Sequence, residues 1–400
     1  MGRALLLIVS GFVIILGVER LNMDHQQNVM LQRNSNYGSL QQSRNIASSM
    51  IDVGISYLNN DITWRSGDQE NHILGGSGNV SVTDPSSDPS LGPYDLRLDA
   101  KGTYNGVSSN IEAILRRTSF SKYAYFTNYE PLIYFVSKDT VKGPLHTNGT
   151  LHIMGDPVFD GEVTSPNSWM GTGTPQFNNG YNFNSNTIQL PTDMTGLEAM
   201  SATGGLSFNN DLNIQFKNNG KVDISQFDGT SWSSPQTYDL SGYNGVITSY
   251  GNITVQGTLK GQVTVYSEKN INISGDMTYA DDPQKDPSST DMLGLIAQND
   301  IVVEDNAEKA HGNSDLNIQA AMMALHSFRV QDYNKGTMRG KLNLLGGIVQ
   351  DTRGPVGTVN NQGTMVTGYS KNYDYDQRLL NSWPPGYPLQ DSYSIISWKE

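Results

Sequence analysis

The chain has 400 residues, a formal net charge of −13, 41 glycines, 16% charged residues and no cysteine. The missing cysteines exclude disulfides, thiolate nucleophiles and cysteine-ligated zinc or iron–sulfur sites, and leave the redox compartment open. An acidic balance repels phosphate backbones and argues against nucleic acid as a partner. Abundant glycine with few charges suits many short strands and turns better than a helical enzyme.

At the N-terminus, Ala4 to Val18 (ALLLIVSGFVIILGV) carries no charge, with Arg3 before it and Glu19-Arg20 after it. Such a run fits a short membrane span or the apolar region of a signal peptide. A cut at Val9-Ser10-Gly11 would halve the run, and no A-x-A-like site follows Val18. A retained membrane anchor is therefore expected. Leu21 to Leu58 is polar and free of proline, and Ile46, Met50, Val53 and Tyr57 form a helical stripe beside Ala47, Gly54 and Leu58. A continuous helix over residues 4–58 would span about 80 Å. Residues 1–60 thus read as a membrane helix running on into a stalk.

Residues 61–138 read as a small α+β region. Turn residues throughout 66–93 predict a loop or irregular hairpin, and Tyr94 to Gly106 a strand pair. Ser108 to Arg117 (SSNIEAILRR) predicts a short helix capped by Ser109, with Glu112 three residues on. Tyr123 to Val136 is aromatic and β-prone.

Beyond it, a glycine followed two places later by an apolar residue recurs every six residues. One block is Gly143-Pro-Leu145, Gly149-Thr-Leu151, Gly155-Asp-Pro157 and Gly161-Glu-Val163. The second holds Gly245-Val-Ile247, Gly251-Asn-Ile253 and Gly257-Thr-Leu259, continues through Val263-Thr-Val265 and Lys269-Asn-Ile271, and ends at Gly275-Asp-Met277. Six residues make one short strand and a corner, and three such sides close a coil of about eighteen in a β-solenoid. The expected fold is mainly β: a β-solenoid over 139–165 and 245–350, preceded by the long N-terminal helix. Traces of the spacing return at Gly294, Asp300, Gly340 and Gly346. Residues 166–244 are expected to form an inserted β-rich subdomain, with a hairpin of 212–216 and 221–224 about Lys217-Asn-Asn-Gly220. Residues 317–326 (NIQAAMMALH) fit strand or helix equally. The aromatic and proline-rich residues 351–400 are expected to pack along the body as an extended segment.

Candidate chemistry is sparse. His146 and His152 each follow a hexad aliphatic, but residues six apart lie on successive sides of a coil and point in different directions. Solvated strand positions are the plainer expectation for both. Asp281, Asp282, Asp286 and Asp291 offer oxygen ligands for Ca²⁺ without EF-hand spacing, as do Asp300, Glu304 and Asp305, and a solvated acidic loop is expected. No G-x-S-x-G, P-loop, H-E-x-x-H or Rossmann pattern occurs. No catalytic, cofactor-binding or metal residue is nominated, and no cofactor is expected.

Two resemblances add to this reading. Residues 1–60, ending in R-N-I-A-S-S-M-I-D-V-G-I-S-Y-L (Arg44 to Leu58), resemble the PilX-type minor pilin and pilus-assembly proteins. That resemblance implies insertion in a bacterial inner membrane and incorporation into, or priming of, a type IV pilus-like filament. The remainder is similar to an uncharacterised bacterial envelope domain, through V-K-G-P-L-H-T-N-G-T-L (141–151), D-M-L-G-L-I-A-Q-N-D-I (291–301), R-G-K-L-N-L-L-G-G-I-V-Q (339–350), R-G-P-V-G-T (353–358) and G-Y-S-K-N-Y-D-Y-D (368–376). The hexads also resemble the bactofilin solenoid, whose coils stack into filaments. They are similar to those of hexapeptide acyltransferases too, where His311 or His326 is nominated only by elimination, and a cytoplasmic acyl donor fits poorly behind an anchor.

The expected function is thus a membrane-anchored, non-enzymatic envelope protein acting as a minor pilin-like assembly component. Its expected partners are the inner membrane, through residues 4–18, and pilin-like or other envelope proteins, with self-assembly as a further expectation. The body would be periplasmic or extracellular. Alternatives are a surface adhesin stacking sugars on Trp169, Trp232, Trp383 and Trp398, and a bactofilin-like polymer-forming scaffold.

Overall fold

The computed structural model describes residues 2–92, 94–311, 315–360 and 364–400. The chain is mainly β behind one long helix, and it divides into two compact units, 1–118 with 391–400 and 119–390.

In the first unit, helix α1 (Gly2–Asn60) is unbroken, as a stretch without proline allows. It lies against an antiparallel sheet of β1 (Asp68–Ile73), β2 (Gly76–Thr83), β3 (Asp95–Tyr104) and β4 (Val107–Ser119), extended by the C-terminal strand Leu389–Lys399 beside β4. Ile46, Ala47, Met50, Ile51 and Leu58 are fully buried, whereas Tyr57, expected on that stripe, is exposed and Val53 only half-buried. The helix approaches closely because the sheet opposes glycine to it. Gly78 faces Gly102 across β2 and β3, and a Cβ on Gly102 would overlap the Ser43 carbonyl. Each aliphatic buried there contributes about 1.5–3 kcal/mol.

The helix predicted over 108–117 is instead part of β4. Ile111, Ala113 and Leu115 are buried in alternation, and ten residues in register with β3 override a capping signal worth about 1 kcal/mol. Residues 94–106 supply one strand of that pair, not two. Residues 391–400, expected on the body, belong to this unit, where Arg117 Nη2 donates to Asp391 Oδ1 at 2.9 Å. The second unit is therefore an insertion in the chain between two neighbouring strands of the first.

That second unit is a stack of short parallel strands. His146 lies opposite Thr164, eighteen residues on, and the same offset relates Val158 to Gln176, Tyr134 to His152, Val246 to Thr264 and Ile253 to Ile271. Elsewhere longer excursions widen the offset, to 30 at Asn270–Asp300 and 26 at Asp315–Lys341. Two of the glycines have a local cause. A Cβ on Gly161 would overlap the Gly143 carbonyl of the neighbouring strand, and Gly257, at φ +115°, faces the Phe216 carbonyl in the same way.

Chain order and stacking order differ. Leu206–Phe208 and Leu212–Lys217 begin the stack, and 246–259, 262–279, 292–303, 316–330 and 338–352 follow. The next level is shared by two strands remote in sequence: Met365–Asp374 lies along the first half of Met338–Thr352 and Tyr125–Tyr129 along the second. These pair onward with 140–142 and 145–147, after which 158–164 and 176–182 complete the stack. Residues 183–205 must then return along the stack, and they do so through Ile188, Leu190 and helix α2 (Thr195–Gly204), which pack on the core.

Several expectations change accordingly. Within 166–244, residues 170–182 and 206–217 belong to the parallel ladders. Only the antiparallel strands Lys221–Gln226 and Gln236–Asp239 leave that pattern, and the first forms the predicted hairpin with Leu212–Lys217. Residues 317–326 resolve as strand Leu316–Ala324. Residues 365–374 form a strand within the stack, with Tyr369 and Tyr373 buried, and no loose extended segment.

Candidate functional site

Two places stand out in the molecule: the exposed part of α1 and the level of the stack that two sequence-remote strands share. Along α1, Leu5 to Val18 presents large apolar side chains on every side, with Leu6 72% and Ile14 66% exposed. By length and composition, an 18-residue window near the N-terminus of the helix is apolar enough to cross a membrane. From Arg20 to Gly38 it remains almost wholly exposed, and burial begins at Ser39. One helix thus carries a lipid-compatible end and a sheet-packed end, with a solvated middle.

The shared level joins residues more than two hundred apart in sequence. Arg353 Nη1 donates to Glu130 Oε2 at 3.1 Å and to the Ile133 carbonyl at 3.1 Å, and its guanidinium stacks 3.9 Å from the Phe135 centroid. Both charges are essentially without solvent exposure. Lys371 Nζ donates to Asp139 Oδ2 at 2.6 Å, and Gln350 Nε2 to the Tyr125 hydroxyl at 3.1 Å. Burial pushes the Glu130 carboxyl up, against the pull of Arg353, and pushes the Lys371 ammonium down. Glu130 Oε1 has no hydrogen-bond partner. These buried pairs tie together segments remote in sequence, so the cluster reads as a structural clasp.

The sequence-nominated residues fall apart in space. His146 sits in the main sheet and His152 in a separate three-stranded one. His146 is buried, not solvated: Nδ1 lies 2.8 Å from Thr164 Oγ1 and Nε2 lies 2.9 Å from Asn148 Oδ1. Burial pushes its pKa down, and both ring nitrogens are engaged. Asn148 completes this arrangement by bonding the returning segment, accepting from the Ile188 N–H at 2.9 Å and donating to the Ile188 carbonyl at 2.7 Å. Asn148→Ala strands both of those backbone groups. It should cost roughly 2–4 kcal/mol, read as a lower urea midpoint at unchanged m-value.

Asp291 departs from the solvated-loop expectation, because its buried carboxylate accepts from the N–H groups of Gly261 and Asp281 at 2.7 and 2.9 Å. Asp286 closes a turn onto Ser288, and Asp282 pairs with Lys285. Asp300 bridges His326 and Arg329, and Asp305 pairs with Arg339. The described residues contain no group of three or more His, Asp or Glu placed to hold a metal. The side chain of His311 lies outside the described residues. Of the tryptophans, Trp232 and Trp398 are 50% and 40% exposed, while Trp169 and Trp383 pack against the core.

A family described as a domain of unknown function (DUF4900) matches residues 97–167, from β3 into the parallel ladders. No curated protein matches the chain. Among solved structures, the chain is similar to the competence-associated pilin ComZ from Thermus thermophilus at 13% identity and a TM-score of 0.33, over 90% of this chain and 97% of that one. At that score the similarity carries no weight for fold or function, which rest on the residues themselves.

Proposed function

We propose that the chain is a membrane-anchored, non-enzymatic pilus-assembly component, a minor pilin-like subunit of the bacterial envelope. The observation that carries this reading is the division of α1 into an exposed apolar end over Leu5 to Val18 and a buried end over Ile46 to Leu58 packed on an antiparallel sheet. A plain anchor needs only a span followed by a flexible linker. A continuous helix rigidly joined to its domain is instead suited to leaving the bilayer as a unit and packing among similar helices in a filament core, where the same apolar surface is buried again. On this reading the second unit is a closed β-solenoid carried periplasmically or extracellularly on the pilin-like unit, and the anchor runs through residues 4–18. The eighteen-residue registers and backbone-facing glycines support closure.

The test is fractionation of cells that make type IV pilus-like filaments. The chain should appear both in inner membranes and in sheared filaments, and its filament share should vanish when the assembly motor is disabled. Retention in the membrane fraction alone, with filament number unchanged on deletion of the gene, would overturn the pilin reading.

A further inference from the structure

We infer that the end of the stack formed by Met170–Thr172, Gln176–Phe177 and Tyr181–Asn182 is a docking face for a second copy of this chain, giving a two-fold dimer. The inference goes beyond the pilin reading and does not depend on it.

The two ends of the stack are finished differently. At one end Leu212–Lys217 is covered by antiparallel Lys221–Gln226 and then Gln236–Asp239, with Lys217 Nζ 2.6 Å from Asp223. This antiparallel flap ends the parallel ladder, and its charged and turned strands disfavour further addition. At the other end the three short strands pair along one edge only, with 152–154, 158–159 and 163–164, and among the described residues no strand pairs with their outer edges. Unpaired backbone donors and acceptors on an uncapped edge are a template for another chain.

Charge selects the occupant. From Val163 to Thr192 there is no Asp, Glu, Lys, Arg or His, in a chain whose net charge is −13. Two copies repel each other across most of their surfaces, and this end is where they can approach without like-charge repulsion. A two-fold contact puts the same patch on both partners, so the patch must complement itself. Amides and backbone edges, which both donate and accept, meet that condition, whereas a patch of one charge does not. Met170 and Tyr181 supply apolar contact, each 61% exposed, and Tyr181 is stacked 4.7 Å from Phe183. Because a two-fold contact uses the same patch on both copies, pairing closes at two and does not run on into the filament of a polymer-forming scaffold.

The chain has no cysteine, so one introduced thiol reports the contact. Full-length Asn182→Cys and, separately, Asn179→Cys are oxidised mildly in native membranes, with Thr230→Cys in the flapped end as control. Disulfide-linked dimers are expected from the first two and not from the control. Adding Tyr181→Asp should reduce them at least tenfold while the circular-dichroism melt stays unchanged. Equal cross-linking at both ends, no cross-linking at residues 179 and 182, or cross-linking indifferent to Tyr181→Asp would each overturn the proposal. A dimer held by α1 alone fails the same test, because Tyr181→Asp leaves its mass unchanged in detergent. A monomer that instead retains neutral polysaccharide on this face also counts against it. Filament incorporation is scored separately, so failure here leaves the pilin reading standing and the reverse also holds.

Discussion

Arg353→Ala should destabilise the second unit by about 3–5 kcal/mol, the cost of leaving a buried carboxylate without its partner. Glu130 would then sit wholly buried with neither oxygen satisfied, since Oε1 is already unpartnered. The loss falls where the stack can least absorb it. Every other level follows from its neighbour along the chain, whereas this one closes only when Tyr125–Tyr129 and Met365–Asp374 meet on Met338–Thr352. Lys142→Ala removes a half-exposed pair between this level and the next, 3.3 Å from Asp374, and should cost no more than about 1 kcal/mol. Chemical unfolding of the two variants therefore separates burial from mere proximity. Replacing the pair together, as Arg353→Met with Glu130→Leu, should recover most of the loss, because the desolvation cost goes with the charges.

The same clasp has a pH signature. Glu130 is held above its ordinary pKa by burial, so the stability linked to it is complete below the ordinary glutamate range and declines as pH rises through the raised value. Glu130→Gln, which imitates the protonated form, should gain in melting temperature relative to the unaltered chain as pH rises. A constant difference across the titration would show that the carboxyl stays ionised throughout.

The clasp also marks the boundary of what the sequence reveals. A single glycine is legible where its cause is local, as at Gly161, where a Cβ would overlap the Gly143 carbonyl eighteen residues away. The shared level is not, because nothing in the spacing says that residues 125–129 and 365–374 lie in one line. Nothing local marks Arg353 and Lys371 as buried, because their partners Glu130 and Asp139 lie 223 and 232 residues away. Residues 170–182 were missed for a related reason. Their spacing is that of the stack, but Asn, Gly and Thr have replaced the buried aliphatics, so the strands carry the register without the apolar pattern. At 108–117 a local capping box points to a helix, and long-range pairing with β3 decides for strand. His146 was visible as a residue but not as a buried one, because its partners Thr164 and Asn148 become neighbours only through the stacking.

The largest effect on location is expected from charge placed in the exposed end of α1. Ile8→Arg with Ile15→Arg puts two cations into a run whose side chains meet no protein surface in the described structure, since Ile8 and Ile15 are 59% and 58% exposed. Each arginine near the centre of a span costs about 2.5–3.5 kcal/mol on insertion scales, while Leu, Ile, Phe and Val return only about 0.3–0.6 kcal/mol apiece. Two cations therefore cancel most of what the apolar run contributes, and membrane retention should fall by well over a hundredfold. Ile8→Leu with Ile15→Leu keeps hydropathy and should change nothing. The stability of the sheet-packed end is a built-in control. Ile46, Met50 and Leu58 are buried against β2 and β3, well along the helix from the substitutions, so the melting of that unit should be unaffected. If the arginine variant stayed in the membrane fraction, attachment would have to come from another part of the chain, and the exposed apolar length of α1 would need a protein partner to explain it.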